Sequence, residues 1–156
     1  MSGLDTPRLW WRWLAVACVI TLLYSLSFVL LPGATLASTS GAYLGSPDAH
    51  EAFGTMGVRY LRFLLGVSGA ISAAWMGVLL LVVLDPFRRG ERWAWWAITL
   101  SIGIWFVFDS SHSVLSGFPA NALYNLVPLV AFGIPLGASY RHFTGSQQPE
   151  STALVG

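Results

Sequence analysis

The segment Phe108-Asp109-Ser110-Ser111-His112-Ser113 places a carboxyl group and an imidazole three residues apart, at the end of an otherwise apolar stretch. An ionisable side chain near the end of a membrane helix is a functional candidate by default. A carboxylate can fix an imidazole tautomer, and histidine titrates near neutral pH, so Asp109 and His112 are the candidate catalytic acid and base. Trp105 shares their spacing at i, i+4 and i+7, one helix face. Further along, Asn121, Tyr124 and Asn125 fall at i, i+3 and i+4, and their amides could hold a polar group or developing negative charge. Tyr24 sits in the same kind of pattern with Thr21, Ser25 and Phe28. Arg59 and Arg62 supply the cations, and because an arginine stem can reach along apolar surface, Arg62 is the expected partner of Asp109. The candidate ligand-binding set is therefore Asn121, Asn125, Tyr124, Trp105, Arg62, Arg59 and Tyr24, with His50 and Glu51 expected to close over it.

Positioning these groups requires helices that cross a membrane. Four apolar stretches, residues 13–31, 63–84, 93–116 and 121–140, each approach the ~20 residues that span a ~30 Å hydrocarbon core. They are helical by necessity, since a lipid-exposed strand leaves backbone groups unpaired. The expected fold is an all-α integral membrane protein, with four transmembrane helices in an antiparallel bundle. Residues 1–143 would form its single domain and 144–156 a disordered cytoplasmic tail. Residues 32–57 read as a long outer loop, rich in Gly, Ala, Ser and Thr as far as Gly45. Ser46-Pro47-Asp48 then signals a short helix over residues 47–53. At 1.5 Å per residue Asp109 stands roughly 24 Å above Trp93, level with Asn125, while His112 is level with Asn121. Small residues recur every fourth position in two rows, Gly66/Ala70/Ala74 and Gly69/Ala73/Gly77, which suits close helix packing against two neighbours. Pro128 and Pro135 each delete a backbone donor and are expected to kink the last helix.

Arg8, Arg12, Arg88, Arg89, Arg92 and Arg141 all fall at one end of this bundle. The positive-inside rule then puts both termini in the cytoplasm of a bacterial-type plasma membrane. Trp10, Trp11, Trp13, Trp93, Trp95 and Trp96 form an aromatic belt at that end. A cleaved signal peptide is the rival reading of the first stretch, but its apolar run exceeds the usual 7–15 residues.

Composition removes other classes. Only 10% of the 156 residues are charged, against about 25% in a soluble domain. A net charge of +1 provides no nucleic-acid footprint. The lone Cys18 forms no disulfide framework and no CxxC site. No HxxxH or HxxE spacing supports a metal, His112 and His142 lie at opposite ends and cannot ligate a haem together, and the serines lack a GxSxG elbow. No cofactor is expected. Polar groups confined to one half of the spans argue against a channel. The expected function is a polar pocket near the outer leaflet that binds a small lipophilic ligand, or an accessory role in a membrane complex. The alternative is an isomerase, cyclase or hydrolase that acts on a lipophilic substrate through Asp109 and His112. The expected partners are the lipid bilayer, a lipophilic small molecule, and another membrane protein or a second copy of the chain.

Overall fold

A computed structural model describes residues 8–145, and every regular element in them is helical. In order these are α1 (Arg8–Leu30), α2 (Pro32–Leu44), a 3-10 turn (Ala49–Phe53), α3 (Gly54–Val82), a π turn (Val83–Phe87), α4 (Arg92–Leu115), α5 (Pro119–Tyr124) and α6 (Leu126–Thr144). Four helical stretches are long and apolar enough to cross a membrane: Arg8–Leu30, Ala49–Phe87, Arg92–Leu115 and Pro119–Thr144. The expected four-span bundle is thus present, with the first, second and fourth spans longer than expected. Of the expected disordered tail, Thr144 belongs to α6 and Gly145 caps it, and residues 146–156 lie outside the described residues.

Proline and glycine set most of the boundaries. Leu31 leaves the helical region at φ −129°, ψ 50°, because the ring of a following proline crowds the residue before it. Pro32 then opens α2 at a position where its missing N–H costs nothing. Residues 33–44, expected as loop, are helical instead. Thr35 Oγ1 donates to the Leu31 carbonyl at 3.0 Å and Thr39 Oγ1 to the Thr35 carbonyl at 2.7 Å, so these hydroxyls bond back along the helix and do not pull it open. Leu36 and Ser40, one turn apart, are buried. Gly45 ends the helix at φ 80°, a left-handed cap that disfavours any side chain. Where a helix over 47–53 was expected, a shorter 3-10 turn forms.

The second span is longer than its apolar core. α3 begins at Gly54, not near Phe63, and its 29 residues extend about 44 Å, some 14 Å more than a hydrocarbon core. Arg59 and Arg62 ride on that extension. At the other end Pro86 cannot donate to the backbone, and the helix widens there into the π turn. Arg89 bridges Asp85 at 2.8 Å and Glu91 at 2.7 Å across the following bend. The Trp93 indole donates to Glu91 at 2.6 Å, which with Arg89 beside it holds that carboxyl below the usual range.

The core sits toward the end that carries Arg8, the bend before Arg92 and Thr144. Leu14, Cys18, Met76, Val83, Phe87, Ala94, Ile98 and Phe132 are essentially inaccessible, and the rings of Phe87 and Phe143 meet at 4.8 Å. Aromatic clusters gather there too, Trp95 lying against Trp96 and Tyr140. Large apolar side chains such as Leu23, Ile71, Leu81 and Val107 point outward, as suits a surface bathed in lipid. Of the two small-residue rows, Gly69 makes the demanding contact: a Cβ there would lie 2.6 Å from Phe28 Cβ and from the Ser25 carbonyl oxygen. Gly66, in the first row, and Gly77, in the second, face open space, so within the second row the close approach is made at Gly69.

Gly69→Ala should therefore weaken the α1–α3 contact by about 1–3 kcal/mol in a denaturing-detergent titration. Gly66→Ala and Gly77→Ala should stay within about 0.5 kcal/mol of the parent. Equal effects at all three would contradict the assigned packing.

Candidate functional site

The polar cluster forms where α4, α5 and α6 meet. Asp109 Oδ2 accepts from Asn121 Nδ2 at 2.9 Å and from Asn125 Nδ2 at 2.6 Å. Asn121 also donates to Ser113 Oγ at 2.7 Å, and that hydroxyl donates to the Asp109 carbonyl at 2.7 Å. Asn125 donates further to Ser110 Oγ at 3.1 Å. From α2, the Tyr43 hydroxyl donates to Asn121 Oδ1 at 2.6 Å. Three separate segments are thus joined through one carboxyl group and two amides.

Local structure explains the convergence. Asn121 and Asn125 are one turn apart on one face, and the backbone stays helical through Asn125, whose N–H donates to the Asn121 carbonyl at 2.9 Å and whose own carbonyl accepts from Leu129 at 3.1 Å. Pro128 has no N–H to donate to the Tyr124 carbonyl, which weakens the helix at that turn. Asn125 is 7% exposed, and its Oδ1 makes no hydrogen bond to the protein.

Two expected pairings do not form. Asp109 meets Asn121 and Asn125 rather than Arg62; both ion pairs among the described residues belong to Arg89. His112 is exposed and its Nε2 lies 3.5 Å from Ser116 Oγ. Three residues turn a helix by about 300°, so His112 points about 60° away from Asp109, whereas Ser113 at i+4 is only about 40° away. Asn121, expected level with His112, bonds to Ser113 and Asp109 instead.

Beside the cluster a groove of about 1,220 Å³ runs along α1. Its α1 wall extends from Leu9 to Phe28, about 29 Å of helix. Tyr24, Trp105, Asn121, Tyr124 and Asn125 all line it, as do Thr21, Ser25 and Pro128. Val16, Ile20, Met76, Ile102 and Phe132 make its apolar walls, and Arg8 and Arg12 stand at the far end. Trp13 closes part of it by donating to the Ala131 carbonyl at 2.9 Å. That carbonyl lost its helical donor to Pro135, so the indole N–H satisfies a group that lipid could not.

Five of the nine expected site residues thus share the groove and Asp109 backs it. His112, Arg59 and Arg62 lie elsewhere, the two arginines in a separate cleft with His50 and Glu51. Tyr43, Ser110 and Ser113 belong to the cluster but were not singled out. The signal for Ser113 was its i+4 spacing from Asp109, whereas Tyr43 lay in a segment read as loop. Burial, with the nearby Tyr24 and Asp109 as weaker contributors, raises the Tyr43 pKa above the ordinary tyrosine value. Among the described residues no group of three or more His, Cys, Asp or Glu side chains is placed to hold a metal. Comparison with protein families, known proteins and solved structures gives no match.

The network makes two expectations measurable. Asp109→Ala and Asn125→Ala should be non-additive in stability by about 0.5–3 kcal/mol, whereas Asp109→Ala and Arg62→Ala should add to within about 0.5 kcal/mol. Strong coupling of the second pair would restore the ion-pair assignment. Because the folded pKa of Tyr43 is raised, its stabilising bond is intact below the unfolded value of about 10 and is lost as pH rises through the folded one. An absorbance titration of wild type minus Tyr43→Phe should show a phenol that ionises later than free tyrosine.

Proposed function

We propose that the chain is a membrane protein that binds an elongated lipophilic molecule in the groove, with the molecule's polar group at Asn125. The single observation that carries this is the Oδ1 of Asn125. It is an acceptor held in place by two bonds from its own amide nitrogen, left without a partner, on a residue that lines an apolar groove. A ligand hydroxyl or N–H would complete it, and the buried setting makes such a bond selective, since an analogue without the donor leaves the oxygen unsatisfied. The groove's length, close to that of a hydrocarbon core, suits a chain-like body rather than a compact ring system. With the arginines as topology markers, both termini face the cytoplasm and the Asn125 end faces the outer leaflet.

Binding is favoured over acid–base catalysis for a geometric reason. The catalytic reading needs His112 within reach of Asp109 or of the groove, and His112 turns toward Ser116 instead. Asp109 is engaged by two amides and positions Asn121 and Asn125.

The purified full chain should carry a co-purifying amphiphile, detected by native mass spectrometry and by extraction. Ser72→Phe, which fills the groove from α3, should abolish its retention. Asn125→Leu should reduce retention at least about tenfold, the loss of one well-made buried bond. Undiminished retention in both variants would sink this reading.

A further inference from the structure

A second cleft, which shares no lining residue with the groove, opens beside the first turns of α3. It measures about 540 Å³, and its polar lining comprises His50, Glu51, Thr55, Arg59 and Arg62. Thr55, Arg59 and Arg62 recur at i, i+4 and i+7, so one face of α3 presents them together. Neither arginine nor Glu51 takes part in an ion pair, both ion pairs among the described residues being those of Arg89. Arg62 also lies close to the start of α2, its Nη2 being 3.9 Å from where a Gly33 Cβ would sit.

The buried wall is the second, independent observation. His50 is only 7% exposed, and its Nδ1 is 3.2 Å from Ser40 Oγ. Its Nε2 has no hydrogen-bond partner, yet it is not sealed off, since the one fully occluded and unpartnered side-chain atom among the described residues is Thr99 Oγ1. A buried imidazole, partnered on one nitrogen and open on the other, thus lines the same cleft as two guanidinium groups that take part in no ion pair. In the tautomer in which the Ser40 hydroxyl donates to Nδ1, the ring proton sits on Nε2, which can then serve as a third donor.

We propose that this cleft binds a phosphoryl oxyanion, with Arg59, Arg62 and the Nε2–H of His50 as its donors. Guanidinium forks match phosphoryl oxygens in pairs, and the positive end of α3 adds to the attraction. Glu51 sets the charge preference. Two arginines opposed by one carboxylate leave a single positive charge, which suits the monoanion of a phosphodiester better than a dianionic monoester. Phosphodiesters of that charge occur in lipid headgroups. The arginines lie on the part of α3 that outruns the hydrocarbon core, the depth at which such phosphates stand.

The test uses the full chain in neutral detergent and native mass spectrometry. Dioleoylphosphatidylglycerol, dioleoylphosphatidylcholine and inorganic phosphate serve as probes. Phosphatidylglycerol should be retained about tenfold less by the Arg59→Gln/Arg62→Gln variant, the loss of a charge-assisted contact. Retention should rise in Glu51→Gln and stay unchanged in Arg141→Gln, where an arginine is removed at the other end. The Glu51→Gln arm, a gain, also separates specific loss from misfolding of the double variant. Displacement of the lipid by millimolar phosphate would identify the free anion as the source. Retention of phosphatidylglycerol in the face of phosphate would identify the headgroup. Equal retention by wild type and the double variant, an equal loss in Arg141→Gln, or binding of neither lipid nor phosphate would overturn the proposal.

Discussion

One acceptor organises the end of the bundle remote from Arg8 and Thr144: Oδ2 of Asp109. Two side-chain amides converge on it, and through them α4, the α5–α6 junction and α2 are held in register. An apolar group at 109 would leave each amide nitrogen with only its serine acceptor, Ser113 or Ser110, and each buried donor left alone costs about 1–3 kcal/mol. The position of Asn125 is therefore set from behind the groove, by a residue that does not line it. This separation between what holds an amide and what the amide can offer gives the polar end of the groove its fixed shape.

Proline plays the opposite part, creating needs instead of meeting them. Each of Pro86, Pro128 and Pro135 deletes a backbone donor inside a helical stretch, and the chain answers each differently. A π turn forms at Pro86, the helix runs on through Asn125 ahead of Pro128, and the Trp13 indole answers Pro135. In water the freed carbonyls would be solvated at little cost. In a bilayer they would not, so each proline dictates a specific structure nearby.

The spans were legible because their length follows from bilayer thickness, a constraint that acts on composition alone. The face shared by Asn121, Tyr124 and Asn125, and its level with Asp109, followed from helical rise. α2 was not legible, because Gly33, Gly41 and a run of hydroxyls signal a loop when water competes for the backbone. Here those hydroxyls turn back on their own helix. Tyr43 was hidden for the same reason. The Arg62–Asp109 pairing failed because Asp109 Oδ2 is taken by two side-chain amides, while Arg62 lines a different cleft. Periodicity placed His112 near Asp109 on the helical wheel, but an i+3 neighbour diverges enough to lose contact while the i+4 serine keeps it.

The hydrogen bond from Trp13 to Ala131 joins positions 118 residues apart in the chain. Neither end makes sense alone. Without Pro135, the Ala131 carbonyl would be claimed by its own helix and the indole N–H would be stranded. Without Trp13, the proline would leave an orphan carbonyl facing a nonpolar groove. Among diverged sequences of this protein, residues 13 and 135 should accordingly change as a pair, with tryptophan tolerated where proline stays and exchanged for a donorless ring where it does not. The constraint lies in the history of the sequence as much as in its geometry.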